Sequence, residues 1–159
     1  MSLTILCVGK TRERYYADAV AEYRKRLSTL MPCAVTEVAD EPEPRALSQA
    51  AVDRATRAEA ERLLSRISPG AYVIALCVDA PQPTSEQLAA RLQALFVSGR
   101  SDVAFVIGGS LGLHESVLRR ADERMGMSRM TLPHQLARVV LAEQLYRAAK
   151  INAGQRYHK

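Results

Sequence analysis

The fold is decided by an apolar run that ends in glycines, Val103-Ala104-Phe105-Val106-Ile107-Gly108-Gly109-Ser110-Leu111-Gly112. Val103–Ile107 has no polar residue, which predicts a strand that is buried on both faces. Ala71–Val78 is a second apolar run of this kind. Such strands are typical of parallel sheets that are covered by helices on both sides. Glycines directly after a strand also predict a turn in which the backbone can approach a ligand closely.

The same pattern extends in both directions, because short apolar runs alternate with longer amphipathic runs that predict helices. The expected strands are Leu3–Val8, Cys33–Ala39, Ala71–Val78, Val103–Ile107 and Met127–Leu132, and the expected helices are Glu13–Leu30, Ala46–Ile67, Thr84–Val97, His114–Glu123 and Pro133–Ile151. Strands that are separated by helices require crossover connections. We therefore expect an α/β fold with a mostly parallel sheet flanked by helices, in one domain over residues 1–159.

The composition excludes several classes of protein. Hydrophobic residues make up 48% of the chain and charged residues 25%, as in ordinary globular domains. No apolar run approaches the ~20 residues of a membrane helix, and the N-terminus lacks the features of a secretion signal, so we expect a cytoplasmic protein. Cys7, Cys33 and Cys77 match no metal motif and are expected to be buried free thiols, which predicts that no metal is bound.

Positive charge is concentrated in residues 114–159. The chain has 22 Lys and Arg against 17 Asp and Glu. Residues 114–159 hold nine of the basic and four of the acidic residues, so residues 1–113 are neutral with 13 of each. Clustered cations favour a polyanionic partner. A solvated basic surface has the same composition, and charge alone leaves both interpretations open.

The glycine-rich turn allows an enzymatic alternative. Residues 108–112 have the spacing G-x-S-x-G, the nucleophile elbow of serine hydrolases, and they follow a strand as that motif requires. Asp122 and then His134 or His158 follow in the order of a catalytic triad. Against a hydrolase, the chain is small and has no second glycine-rich loop. The turn is neither G-x-G-x-x-G nor a P-loop, and a structural turn explains the glycines equally well.

The last helix has more apolar surface than one core face requires. Leu136, Val139, Val140 and Leu145 are expected to face the core, and Leu141 widens the apolar stripe beyond one side of the helix. We therefore expect part of this helix to lie in a subunit interface.

Several blocks of sequence carry a family resemblance. They are Val8-Gly9-Lys10, Tyr23-x-x-Arg26-Leu27, Ile107-Gly108-Gly109-x-x-Gly112-Leu113, Thr131-Leu132-Pro133-His134, Arg138-Val139, Glu143-Gln144-Leu145-Tyr146-Arg147-Ala148 and Tyr157-His158. In this order and at this chain length they resemble the ribosomal RNA large-subunit methyltransferase H family of the SPOUT methyltransferases. The chain departs from the family at Ser110 and Leu111, where many members have proline and an acidic residue.

The resemblance implies an S-adenosylmethionine-dependent enzyme that methylates N3 of a pseudouridine in large-subunit ribosomal RNA on the assembled ribosome. It also implies a homodimer, a C-terminal trefoil knot and a cofactor bound in that knot, without a metal. A family that accepts proline at Ser110 does not need a serine nucleophile there, which argues against the hydrolase. A non-catalytic RNA-binding protein is the other alternative.

The resemblance also implies which residues form the site. The cofactor-binding residues would be Leu76, Gly108, Gly109, Ser128, Arg129, Met130, Thr131, Leu132 and Pro133. The catalytic residues would be Arg138, Glu143, Tyr157 and His158, and the RNA-binding residues would be His134, Arg147, Arg156 and Lys159. Arg138, Tyr157 and His158 are also expected on the RNA side. The general base remains open between His158 and Glu143.

Overall fold

The computed structural model describes residues 1–157, in which strands and helices alternate as the sequence predicts. The strands are β1 (Ser2–Val8), β2 (Cys33–Val38), β3 (Tyr72–Leu76), β4 (Asp102–Ile107) and β5 (Glu123–Met125), and the helices are α1 (Arg14–Ser28), α2 (Gln49–Leu64), α3 (Ser85–Val97), α4 (Glu115–Arg120) and α5 (His134–Asn152). The five strands form one parallel sheet in the order β2-β1-β4-β3-β5. This confirms the predicted α/β class.

Helices cover both faces of the sheet, which is why its central strands are apolar throughout. On one face α1, α3 and α5 pack around Phe105, Leu141 and Leu145, which are fully buried. On the other face α2 and α4 cover Val73 and Val106. Because all strands run in the same direction, their carboxyl ends meet at one edge of the sheet, where ligands of open α/β sheets bind.

The predicted helix start at Thr84 is confirmed in detail. The Thr84 hydroxyl accepts a hydrogen bond from the Gln87 amide at 3.2 Å, and the Gln87 side chain accepts one from the Thr84 amide at 2.8 Å. This reciprocal arrangement satisfies two backbone donors that the first turn of a helix otherwise leaves unpaired.

The fifth strand was predicted in the wrong place. Residues 127–132 form a loop and not a strand, whereas β5 occupies Glu123–Met125, at the end of the segment predicted as helix. Helix α4 consequently ends at Arg120. Three residues have no periodicity of their own, and β5 is defined by its pairing with β3, in which Leu76 lies opposite Met125.

Helix α5 faces the core with a different side from the one predicted. Leu145, as expected, and Leu141 are fully buried, together with Ala142, Ala148 and Ala149. Leu136, Val139 and Val140 are only partly buried within the subunit. Small alanine side chains allow α5 to pack closely against α1 and α3, so the larger residues are left at the periphery.

The remaining expectations concern cysteines, membranes and metals. Cys7 is buried, while Cys33 and Cys77 are partly exposed, and all three are free thiols. Burial raises the pKa of Cys7 to about 12 and that of Cys33 to about 11. Within residues 1–157, no helix is long and apolar enough to cross a membrane. The same residues contain no group of three or more His, Cys, Asp or Glu side chains arranged to hold a metal ion.

Candidate functional site

A cavity of about 810 Å³ lies at the carboxyl edge of the sheet, where the loops after β3, β4 and β5 meet. This volume is in the range of small-molecule and cofactor sites. Its floor is apolar and includes Leu76, Ile107 and Met125. Its walls are formed by residues of the glycine-rich turn and of the loop after β5.

The shape of the glycine-rich turn requires its glycines. The Gly112 amide donates to the Gly109 carbonyl at 3.1 Å, and Gly112 has φ +82°. A Cβ on Gly108 would lie 2.7 Å from the carbonyl carbon of Gly112. The turn therefore folds back on itself so closely that only glycine fits at 108 without a backbone shift.

The loop after β5 is held in a similar way. The Gly126 amide donates to the Pro81 carbonyl at 2.9 Å, and a Cβ on Gly126 would lie 2.7 Å from the Ala80 carbonyl oxygen. One turn later the Met130 amide donates to the Ser128 hydroxyl at 3.0 Å. The backbone of this loop is thus shaped by close contact with the loop after β3.

The cavity brings together most residues that the resemblance assigns to the cofactor. Its lining includes Leu76, Gly108, Gly109, Ser128, Met130, Thr131, Leu132 and Pro133. Arg129 belongs to the same loop but is exposed and does not line the cavity. Cys77, Val78 and Asp79 also line the cavity, although none was predicted there. The predicted strand extended to Val78, whereas β3 ends at Leu76, so only Asp79 followed the expected strand end.

His134, expected to contact RNA, lines the same cavity. It is the first residue of α5, and the helix start directs its partial positive charge toward the cavity. Burial lowers the pKa of His134, and the nearby Arg138 and Arg12 lower it further, while Asp40 opposes them. A neutral imidazole at neutral pH follows from this environment.

Arg138, expected to be catalytic and to face the RNA, is buried inside the subunit with 1% exposure. Its guanidinium donates to Thr11 Oγ1 at 2.9 Å, to Glu37 Oε1 at 3.0 Å and to the Val8 carbonyl. These contacts tie α5 to the ends of β1 and β2, because a buried guanidinium needs acceptors on its own molecule. Among the described residues its Nε has no hydrogen-bond partner.

Glu143, Arg147 and Tyr157, in contrast, lie together at the far side of α5. Arg147 donates to Glu143 Oε1 at 2.6 Å, and the Tyr157 hydroxyl lies 3.4 Å from the same oxygen. The Arg147 guanidinium also stacks 4.8 Å from the centre of the Tyr157 ring. Burial and the Glu143 charge raise the pKa of Tyr157, so its hydroxyl stays protonated at neutral pH. We call these three residues the C-terminal cluster.

The C-terminal cluster and the cavity do not meet within one subunit. Glu143 is nine residues beyond His134 on α5, which corresponds to about 13 Å along the helix axis. None of the three cluster residues lines the cavity. Arg156 is exposed beside the cluster, and the expected roles of His158 and Lys159 lie outside the described residues.

The serine hydrolase triad is not assembled. Ser110 is exposed in the turn, and α4 begins only at Glu115, so the strand-turn-helix of a nucleophile elbow is absent there. The Asp122 carboxylate accepts a hydrogen bond from the Val73 amide at 2.8 Å, near the amino end of β3. This position is at the sheet edge opposite the cavity that contains His134.

The residues of the cavity fit a nucleoside-containing cofactor such as S-adenosylmethionine. The apolar floor suits a purine ring, the glycine-rich turn exposes backbone without side chains, and the loop after β5 offers backbone donors and acceptors. Asp79 and His134 supply polar side chains at the rim of this lining.

Comparisons with known proteins agree with this geometry. The family model described as predicted SPOUT methyltransferase matches residues 1–158. Proteins named ribosomal RNA large subunit methyltransferase H from Lysinibacillus sphaericus and Bifidobacterium animalis subsp. lactis are 50% and 52% identical to the chain, each over 100% of both sequences.

Solved structures show the same fold at low identity. A probable methyltransferase from Bordetella pertussis superposes with a TM-score of 0.56 at 16% identity, covering 92% of this chain and 93% of that one. A probable methylase family protein from Haemophilus influenzae gives a TM-score of 0.54 at 14% identity, covering 99% and 70%. With relatives at about half identity over its full length, the chain belongs to the ribosomal RNA large subunit methyltransferase H family of SPOUT methyltransferases.

Proposed function

We propose that the protein uses S-adenosylmethionine to methylate N3 of a pseudouridine in large-subunit (23S) ribosomal RNA on the assembled ribosome. The observation that carries this proposal is the cavity at the carboxyl edge of the sheet. It is built from the segments that the chain shares with its family, and its lining suits the cofactor of a methyltransferase. The relatives are named ribosomal RNA large subunit methyltransferase H, and this name indicates the class of RNA substrate.

The cofactor would be held mainly by backbone. Leu76, Gly108 and Gly109 would contact it from the ends of β3 and β4, and residues 128–133 would enclose it from the loop after β5. When bound, S-adenosylmethionine supplies an electrophilic methyl group, and no metal is required. The protein's own part is to hold the acceptor nitrogen in line with that group, and such positioning can supply ~7–11 kcal/mol.

The acceptor nitrogen must lose a proton as the new N–C bond forms. Glu143 and His158 are the proposed proton acceptors, and a positioned base of this kind contributes about 10²–10⁴-fold. Arg147 holds the Glu143 carboxylate at 2.6 Å, while Tyr157 has an aromatic face on which an extruded base can stack. The protonated Tyr157 hydroxyl is suited to donate a hydrogen bond and not to act as the base.

A complete site would require a second copy of the chain. Within one subunit the C-terminal cluster is separated from the cavity, whereas Leu136, Val139 and Val140 leave apolar surface on α5 between them. A homodimer that covers this surface would bring the cluster of one subunit to the cavity of the other. Arg156 and Lys159 would then contact RNA phosphates, and the enzyme would act in the cytoplasm, where ribosomes are present.

Cofactor binding is the first test. Calorimetry should show that S-adenosylhomocysteine binds in the presence of EDTA. With tritiated S-adenosylmethionine, label should then enter the large-subunit RNA of assembled ribosomes that lack the modification, with much less in free RNA. Mass spectrometry of the digested RNA should identify N3-methylpseudouridine.

The outcomes separate the proposal from its alternatives. No binding heat and no thermal stabilisation at millimolar S-adenosylhomocysteine would contradict a methyltransferase. RNA binding without cofactor binding would support the non-catalytic RNA-binding protein. Label in a nucleoside other than pseudouridine would keep the reaction and correct the substrate.

A further inference from the structure

Glu59 on α2 is a buried carboxylate to which the proposed mechanism gives no role. It is 6% exposed and, with Thr56 and Arg138, is one of three polar or charged residues among the described residues that are buried. Arg138 has a structural explanation in its three acceptors, and Thr56 donates to backbone carbonyls of its own helix. A buried charge is costly unless something compensates it, so the surroundings of Glu59 need an explanation.

Glu59 lies directly behind the glycine-rich turn. A Cβ built on Gly109 would be 3.4 Å from Glu59 Oε2 and 3.5 Å from Oε1, with Val8 at 3.1 Å. The cavity lies against the same residue, because Gly109 is part of its lining. Gly109 therefore contacts both sides, since it lines the cavity and its missing side chain would point at the Glu59 carboxylate.

Among residues 1–157, no basic side chain forms an ion pair with the Glu59 carboxylate. Glu59 Oε1 accepts a hydrogen bond from the Glu41 amide at 2.9 Å. The nearby Arg62 is instead paired with the Glu41 carboxylate and the Ala39 carbonyl. Within residues 1–157, no Lys, Arg or His nitrogen is within 4.0 Å of the Glu59 carboxylate.

The pKa of Glu59 reflects its burial and its charged neighbours, of which Asp40 is paired with Arg12 and Glu41 with Arg62. Burial raises the pKa of Glu59, and the adjacent Asp40 and Glu41 raise it further, against the Glu41 amide and Arg62. Glu59 is thus a carboxylate without an ion-pair partner among residues 1–157, behind the glycine-rich turn, where a positively charged ligand in the cavity would compensate it.

We propose, on the basis of the proposed function, that Glu59 makes the cavity selective for the sulfonium cation of S-adenosylmethionine over the neutral thioether of S-adenosylhomocysteine. The two ligands differ at sulfur by one methyl group and one positive charge. A negative charge behind the turn attracts the sulfonium of S-adenosylmethionine, whereas the neutral thioether of S-adenosylhomocysteine has no net charge at sulfur to attract. Glu59 acts through the loop backbone and is therefore a positioning and selectivity residue, not a catalytic one.

This selectivity has a consequence for turnover. Transfer of the methyl group removes the positive charge from sulfur, so the attraction that favours the methyl donor is lost in the product. Glu59 would thus help the spent cofactor to leave. Because the attraction acts on the ground state, it lowers the KM for the cofactor without raising kcat.

The test is a comparison of two dissociation constants by calorimetry, for S-adenosylmethionine and S-adenosylhomocysteine, in wild type and in Glu59→Gln. Glutamine keeps the size of the side chain and an oxygen to accept from the Glu41 amide. We expect Glu59→Gln to weaken S-adenosylmethionine binding by about fivefold or more, because unit charges 4 Å apart interact by about 1 kcal/mol even when screened as in water. S-adenosylhomocysteine binding should change by less than about twofold.

Two variants control the comparison. Glu61→Gln removes a charge from the same helix at an exposed position and should leave the ratio of the two constants at the wild-type value. Glu59→Asp keeps the charge and should retain most of the selectivity. Unchanged S-adenosylhomocysteine binding also shows that each variant is folded around an intact cavity.

The remaining outcomes distinguish a failure of the proposed role of Glu59 from a failure of the proposed function. Equal weakening of both ligands in Glu59→Gln would make Glu59 a structural support of the turn and overturn the selectivity. Unchanged binding of both would overturn it as well. If wild type binds neither ligand, the proposed function itself fails, before Glu59 is tested.

Discussion

The cavity and the C-terminal cluster both include residues of helix α5, but they are built differently. The cavity lies beside the start of α5 and is lined by three loops, in which Gly108 and Gly126 are packed against neighbouring backbone. The cluster lies further along α5 and consists of the side chains of Glu143, Arg147 and Tyr157, which are paired with one another.

The difference indicates what each region can recognise. A cavity whose walls are loops held by tight glycine contacts selects a ligand by fit. A cluster of charged and aromatic side chains can stack on a base and exchange protons. Here the three side chains contact one another and do not line the cavity. Substitutions should therefore affect ligand binding and methyl transfer separately, unless they disturb the element that both regions share.

Both regions share helix α5, which Arg138 ties to β1 and β2, so replacement of Arg138 should have the largest effect. Arg138→Met leaves Glu37 and the Val8 carbonyl without their buried donor. We expect a loss of about 3 kcal/mol in the free energy of unfolding, the low end for a broken buried pair, because the Glu37 side chain is 32% exposed. Chemical denaturation at matched protein concentration measures it.

The exposed Arg129→Met is the control and should unfold as wild type does. If Arg138→Met keeps its stability but loses methyl transfer alone, Arg138 belongs to the catalytic residues after all.

Deletion of residues 156–159 should disrupt the C-terminal cluster and leave the cavity intact. It removes Tyr157 and His158 and with them the proposed stacking surface and one candidate base. Methyl transfer to ribosomes should fall by about 100-fold or more, while S-adenosylhomocysteine affinity stays near wild type. Mixing truncated subunits with subunits that carry Gly108→Ala should restore part of the activity if the tail acts across a dimer. Wild-type transfer by the truncated enzyme would show that the tail has no role.

Gly108→Ala should disrupt the cavity and leave the C-terminal cluster intact. The added Cβ would overlap the carbonyl carbon of Gly112 at 2.7 Å, so the turn must shift. We expect cofactor affinity to fall by about tenfold or more, the cost of one overpacked side chain. Gly70→Ala is the matched control, because nothing lies within 4 Å of its Cβ position. Equal affinity in both variants would mean that the turn does not contact the cofactor.

The pH dependence of the free energy of unfolding should reveal the buried position of His134 in the cavity. Its pKa in the folded protein is below its ordinary value of 6.5, chiefly because of burial. As the pH falls below 6.5, the unfolded chain takes up a proton first, so stability is lost in that window. His134→Gln should lose less stability than wild type between pH 7.5 and 5.5. An imidazole NMR titration with a midpoint above 6.5 would contradict this.

Ser110→Ala should have the smallest effect. Ser110 is exposed in the turn and has no triad around it, so cofactor binding and methyl transfer should stay within about threefold of wild type. A loss of several orders of magnitude in a folded variant would restore the hydrolase interpretation.

Much of the fold and of the cavity was predictable because both depend on local sequence. Val103–Ile107 is too apolar for anything but a buried strand, and Gly108 and Gly112 follow it where a tight turn is needed. The loop at 128–133 was assigned to the cofactor through the family resemblance alone, since its composition predicted a strand. Cys77 and Val78 were missed because the predicted strand extended to Val78, whereas β3 ends at Leu76.

The sequence by itself determined the alternation of strands and helices, the glycine-rich turn at a strand end and the family. Only the tertiary structure decided where β5 pairs, that Arg138 is buried and that Glu59 lies behind Gly109. Periodicity is a property of neighbours in the chain, and burial of a charge depends on residues far along it. Arg138 is 101 residues from Glu37, and Glu59 is 50 residues from Gly109, so no local pattern could have linked them.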